Sequence, residues 1–249
     1  MALRKNGVDV REIACDGDGV SRTLLVADIA ARGGSVAPAV IVTAGVHGDE
    51  PAAPWALLSL ARDGLLDRNF AYRLWPCTNP TGYRLGTREN AEGIDINRSY
   101  GRDGTSPEAC AMILARDRSF DLNLDLHEDF EAEGFYCYEP KVDEIAFGPS
   151  IVQAIDDAGL PVQDLEHGYE LGYPPTAQHY TLERGRVIPD AEIEASFSNQ
   201  LPHSISLLRR GMAKRSLTFE SPLRRPWDDR IATHRVAVVA ALERLRTRF

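Results

Sequence analysis

The chain has 249 residues, 43% of them hydrophobic and 26% charged, a balance that suits a globular protein with one large core and excludes a disordered or fibrous chain. Twenty-eight Lys and Arg against 37 Asp and Glu leave a net charge of -9, and no basic run is long enough to follow a phosphate backbone, so nucleic acid is not an expected partner. The opening MALRKNGVDVREIACDG has no apolar leader core, and no stretch reaches the roughly 18 apolar residues of a spanning helix; a cytoplasmic protein without a membrane partner is the expectation.

Along the chain, Thr23 to Ala30 and Pro38 to Val46 read as strands, short and rich in β-branched residues, with a turn-forming ARGGS between them. The second is apolar almost throughout, as a central strand covered on both faces would be. It ends in His47-Gly48-Asp49-Glu50, and Pro51 and Pro54 then open a helix that closes at Gly64. NFAYRLWPCTNP is strand-like and stops at Asn79-Pro80. The polar, glycine-punctuated stretch that follows, to Tyr100 and Gly101, reads as a long functional loop. Ser106, Pro107 and Glu108 start a helix, and FDLNLDLHED is a strand ending in His127 and carboxylates. GPSIVQAIDDAG is a helix stopped by Gly159, and the Tyr/Pro/His-rich run from Leu165 to Asp190 is expected to be irregular or hairpin-like. A short helix around SISLLRRGMA, the strand RSLTFESP ending in Glu220 and a long terminal helix complete a single α/β domain over residues 1–249. Cys15, Cys77, Cys110 and Cys137 lack CxxC spacing and are read as reduced, mostly buried thiols.

Three apolar strands thus end in ionisable residues: His47 with Glu50, His127, and Glu220. Strand ends along one edge of an α/β sheet are where ligands bind. His-x-x-Glu with a distant His is a two-nitrogen, one-carboxylate set that leaves a position on zinc open for chemistry, and Glu220 is placed to take a proton from water and pass it to a leaving nitrogen.

GVHGDE after an apolar strand, NPTGYRLGTRENAEGIDINRSY, DLHED and TFESP, in that order, resemble the zinc carboxypeptidase family. The middle block is most similar to the compact bacterial murein peptide amidase type. The resemblance spans His47 to Glu220 and implies a mixed, mostly parallel sheet of about eight strands between helices. It makes His47, Glu50 and His127 the ligands of one zinc ion and Glu220 the general base. It also implies that Asp95 orients His47, that Asn97 and Arg98 hold the substrate's terminal carboxylate, and that Arg88 stabilises the oxyanion. Asp49, Glu128 and Asp129 add negative charge nearby and leave the number of metal ions open, with Asp49 and Glu128 read as supporting residues.

The expected substrate is a peptide or a peptidoglycan-derived peptide, cut at its C-terminal amide. A second reading is an N-acyl amino acid deacylase of the related succinylglutamate desuccinylase and aspartoacylase branch, and a third is a non-catalytic metal-binding module. Arg88 precedes Asn97 by nine positions, a gap that favours the peptidase side. EASFSNQLPH lacks the lid tyrosine usual before the catalytic glutamate, for which Tyr169, Tyr173 and Tyr180 are candidates. The pocket for the terminal side chain is expected between Gly134 and Ser216, with Glu170, Glu183, Arg184 and Arg186 leaving its charge preference open.

Overall fold

Ala39–Ala44, AVIVTA, presents apolar side chains on both pleat faces, which suits a strand covered from both sides. In the computed structural model it has a parallel neighbour on each edge within a nine-stranded sheet. The structure describes residues 8–17, 20–34, 37–101, 106–165, 180–189 and 200–249. Numbered along the chain, the strands are β1 Val8–Gly17, β2 Val20–Ile29, β3 Ala39–Ala44, β4 Ala71–Trp75, β5 Leu122–Asp129, β6 Tyr136–Tyr138, β7 Tyr180–Glu183, β8 Arg186–Pro189 and β9 Ser216–Pro222. Their order across the sheet is β1-β2-β4-β3-β5-β9-β6-β8-β7.

The helices are α1 Ala52–Arg62, α2 Pro80–Leu85, α3 Pro107–Leu114, α4 Gly148–Asp157, α5 His203–Arg209 and α6 Trp227–Arg246, with a 3-10 turn at Ile96–Arg98. Against one face of the sheet, α1, α4 and α6 enclose a core that includes Val40, Val42, Leu57, Leu124, Leu217, Phe219 and Val238. Against the other face, Leu24, Ile41, Trp75, Tyr100, Met112 and Phe120 form a second cluster under α3 and the 3-10 turn. The result is the expected helix-sheet-helix sandwich. Among the described residues no helix is long and apolar enough to cross a membrane.

The sheet departs from a mostly parallel one at its flanks. The parallel pairings β4–β3, β3–β5 and β5–β9 form a continuous block. The β1–β2 hairpin adds antiparallel pairings on one side, and β6 and the β7–β8 hairpin add them on the other. Helical crossovers enforce parallel pairing only where they occur, so the hairpins at both flanks are free to run antiparallel. The polar stretch after Asn79 is also not all loop. Asn79 caps α2 by accepting from Gly82 N at 2.9 Å, Pro80 occupies the first turn, and Gly86 ends the helix in the left-handed region at φ 67°. Ser106 caps α3 as expected, accepting from Ala109 N at 3.1 Å. The run from Leu165 to Asp190 contains the β7–β8 hairpin; residues 166–179, with Tyr169, Glu170 and Tyr173, lie outside the described residues.

Candidate metal centre

The three strands whose ends carry the ionisable residues are consecutive in the sheet, in the order β3-β5-β9. Just beyond β3, Gly45 takes a positive φ of 63°, and the chain turns through His47 to Glu50 at the head of α1. In the β5–β9 register His127 lies directly opposite Glu220. This local geometry brings together residues 80 and 93 positions apart in sequence.

Glu50 bridges the two histidines. Its Oε1 lies 2.5 Å from His47 Nδ1 and its Oε2 3.0 Å from His127 Nδ1, and the two rings are 4.9 Å apart. One ligand atom from each of the three lies within 4.8 Å of the others, and all three residues are buried, a grouping able to hold a metal ion. The far nitrogen of each ring faces a carboxylate: His47 Nε2 is 3.3 Å from Asp95 Oδ1, and His127 Nε2 is 3.6 Å from Asp125 Oδ2. Such partners fix ring orientation and tautomer so that Nδ1 points inward. Burial alone would raise the Glu50 carboxyl, but the two imidazoles reverse that and hold it well below the usual carboxylate range. Burial would lower His127, and the facing Glu50 and Asp125 instead raise it well above the usual histidine range. Glu220 goes the other way from Glu50. Loss of solvent, reinforced by repulsion from Glu50, Asp129 and Asp125, outweighs the attraction of His127 and pushes its carboxyl well up.

The loop expected to serve the site does lie over it. Asp95 Oδ1 accepts from Asn97 N at 2.8 Å, opening the 3-10 turn, while Oδ2 accepts from Arg88 Nη2 at 2.9 Å. Burial opposes ionisation of Asp95, but His47, Arg88 and Arg98 hold its carboxyl well below the normal range. Arg88 Nη1 reaches to 3.2 Å from His47 Nδ1 and 3.8 Å from Glu50 Oε1, which sets the guanidinium at the cluster. Asn97 is more buried than its expected role suggests: Nδ2 lies 3.4 Å from His127 Nε2, and Oδ1 accepts from His203 N at 3.0 Å. Beneath the loop, the buried Arg22 pairs with Glu92 and lies 3.5 Å from Glu108. Asn90 Nδ2 donates to both carboxylates, at 2.7 and 2.9 Å. Gly48 packs so tightly on α2 that a Cβ there would stand 1.9 Å from the carbonyl carbon of Gly82.

A cavity of about 530 Å³ opens over His47, Glu50, His127, Arg88, Arg98 and Glu220. A second, of about 80 Å³, shares Asn97, Arg98, Tyr138 and Glu220 with it and runs back along β9 and α5. Tyr180, one of the lid candidates, lines this second cavity.

Two contributors, Asp125 and Arg230, escaped sequence reasoning. Asp125 lies two residues before His127, and strand periodicity puts both on one face, so the D-L-H spacing carried the signal. Glu128 had been read only as a supporting acid of undefined contact. Its carboxylate accepts Arg230 Nε and Nη2 at 2.6 and 2.9 Å and Ala52 N at 2.7 Å, while its backbone N donates to Glu50 Oε2 at 3.0 Å. Arg230 comes from α6, 102 residues away, and no local pattern connects it to the site.

Residues 36–163 match the family model described as the succinylglutamate desuccinylase/aspartoacylase catalytic domain. Over 60 residues the chain is 38% identical to murein peptide amidase A of Escherichia coli K12; the match covers 24% of this chain and 24% of that protein, so it spans about a quarter of the curated relative. Among solved structures, a Shewanella amazonensis SB2B protein described as a metallopeptidase superposes with a TM-score of 0.72 at 22% identity, covering 94% of this chain and 86% of the other. A metallo-carboxypeptidase from Burkholderia cenocepacia gives 0.68 at 17% identity, with coverage of 100% and 67%. At these identities the two structures establish a shared fold.

Proposed function

Because the chain belongs to the succinylglutamate desuccinylase/aspartoacylase catalytic-domain family, a family of hydrolytic enzymes, we propose that it is a zinc-dependent metallocarboxypeptidase that releases a terminal amino acid from a peptide or peptidoglycan-derived peptide. The observation that carries this reading is the convergence of His47, Glu50 and His127 with Glu220, Arg88 and Arg98 around one cavity. The donor set fits zinc: two imidazole nitrogens and one carboxylate, buried, close together and braced from behind by Asp95 and Asp125. Held there, a zinc ion would supply Lewis acidity toward the scissile carbonyl and acidify the attacking water.

Glu220, directly opposite His127 in the β5–β9 register, takes the proton from the water that attacks the carbonyl and delivers it to the departing nitrogen. Arg88 directs its guanidinium at the developing oxyanion, positioned by Asp95. Arg98, with Asn97 beside it, holds the terminal carboxylate. One ion is the count we assign, because the acids around the three ligands are already engaged: Glu128 by Arg230 and Ala52 N, Asp95 by Arg88 and Asn97 N, and Asp125 by Thr43 Oγ1. The test is purified protein assayed for metal and activity together: about one zinc per chain and zinc-dependent amide hydrolysis are expected, and absence of both overturns the reading.

The match to the deacylase family model over residues 36–163 favours a second reading, hydrolysis of N-acyl amino acids by the same residues. Parallel assays of short peptides and of N-acetyl- and N-succinyl-amino acids separate the two. Faster turnover of peptides is expected, and exclusive turnover of N-acyl amino acids assigns the deacylase.

A further inference from the structure

Alternation along β5 sends Leu122, Leu124 and Leu126 into the core that α1, α4 and α6 cover, and Glu128 is the next residue of that row. His127, one residue earlier, belongs to the opposite face. In the β5–β9 register Glu128 lies opposite Ser221, which continues the row of Leu217 and Phe219 in β9. A carboxylate therefore stands where the pattern calls for one more leucine, and its side chain is fully buried.

That carboxylate joins three elements of the site. Its Oε2 accepts from Ala52 N at 2.7 Å, the first amide of α1 and two residues beyond Glu50. Its Oε1 accepts from Ser221 Oγ at 3.3 Å, next to Glu220. Arg230, in the first turn of α6, closes on both oxygens through Nε and Nη2 at 2.6 and 2.9 Å, and its Cζ lies 5.1 Å from the centre of the Trp227 ring. The main-chain amide of Glu128 in turn donates to Glu50 Oε2 at 3.0 Å, the same oxygen that faces His127 Nδ1. A two-pronged guanidinium–carboxylate contact fixes direction as well as distance. A buried ion pair adds little net stability over an apolar pair of similar volume, because both charges lose their water. What it adds here is a set orientation at the point where α1, β5 and β9 meet.

We propose that Glu128 and Arg230 are positioning residues for the metal centre: Arg230, acting through Glu128, holds the head of α1 and the Glu128 amide so that the Glu50 carboxylate stays between the two imidazoles. Their role rests on the reading of His47, Glu50 and His127 as zinc ligands. It gives the terminal helix, which supplies none of those ligands, a part in setting metal affinity.

The test removes the pair in two ways and reads zinc affinity, by competition with a chelator, beside the urea midpoint. Arg230→Met leaves Glu128 buried without its cation. Zinc affinity is then expected to fall about 10- to 100-fold, the usual cost of losing a group that orients a ligand, and the midpoint to fall with it. Glu128→Leu combined with Arg230→Met removes both charges, so the midpoint is expected to return to that of the unsubstituted protein while zinc affinity stays at least about tenfold down. Recovery of both would make the pair a folding element only and overturn the proposal, as would undiminished zinc affinity in Arg230→Met. Arg230→Lys keeps the charge and loses the second prong, and it decides the matter where the other variants do not fold: a smaller loss of affinity is expected, and none overturns the proposal. With cobalt in place of zinc, the visible absorption band reports ligand geometry; it is expected to shift in the double variant, and an unchanged band counts against the assignment in the same way. An unsubstituted protein that takes up no zinc would instead overturn the ligand reading itself, so the two failures are told apart.

Discussion

The cavity over His47, Glu50 and His127 collects its side chains from the ends of β3 and β5 and from the loop laid across them, and is crowded with carboxylates. The cavity on the other side of Glu220 draws its walls from β9 itself and from β6, β7, β8 and α5, and hydroxyl and apolar groups predominate. The first is built on strands flanked on both edges by parallel neighbours, where a one-residue slip of β5 would turn His127 to the other face. The second combines the interior strand β9 with strands of three and four residues near the edge of the sheet. Glu220 is one of four residues, with Asn97, Arg98 and Tyr138, that line both cavities.

Removing this shared acid gives the largest expected effect. Glu220→Gln should lower kcat by roughly 10²- to 10⁴-fold, the usual contribution of a positioned acid-base group, while metal analysis finds zinc retained; unchanged turnover would place the chemistry elsewhere. Next is the cluster beneath the loop. Arg22→Met leaves Glu92 and Glu108 buried without their cation and should cost about 3 kcal/mol or more, read as a shift in the urea midpoint. A neutral result would show that the loop is held by other contacts. Asp125→Asn should weaken zinc binding by about 10- to 100-fold, read by metal titration, and an unchanged affinity would show that Asp125 does not brace His127.

A further effect is graded with pH, small at any single step. His203 in α5 and His234 in α6 are fully buried, and loss of solvent lowers their pKa values to about 4 and about 3. The unfolded chain protonates both near their ordinary value, so it binds more protons than the fold, and stability must fall as pH drops below about 6.5. The His203 contribution levels off near pH 4. Each histidine should steepen the loss by about 1.4 kcal/mol per pH unit, measured as denaturation midpoints between pH 4 and 7. His203→Asn should halve the slope, and a flat profile would mean both rings carry protons in the fold.

Much of the catalytic half was legible in the chain because its signals are local. An apolar β-branched run marks an interior strand, and a His or Glu at its end marks the edge where ligands gather. The capped helix at Ser106 and the hairpin after Leu165 were visible for the same reason. The β1–β2 extension was harder to read, since Val8–Gly17 alternates exposed and half-buried positions with only Cys15 buried. Helix α2 was hidden by its glycines and polar residues, although Asn79-Pro80 carried both cap and first turn. What no local pattern could give was the long-range pairing: Arg230 with Glu128 and Arg22 with Glu92 and Glu108 join residues 102, 70 and 86 positions apart. Nor could a local pattern show that Arg184 pairs with Asp156, Arg186 with Glu139 and Glu183, and Arg215 with Glu139 and Asp143.

At Gly48 the absence of a side chain acts as a gauge. Its amide donates to Thr87 O at 3.0 Å, and the space where a methyl group would project is filled by the Gly82 backbone. The turn carrying His47 and Glu50 and the helix leading to Arg88 are therefore stitched face to face with no clearance, so neither can be displaced without carrying the other. In this chain the bare hydrogen between His47 and Asp49 lets the turn carrying His47 and Glu50 close onto the helix before Arg88, and the smallest residue in the segment sets how near the two can come.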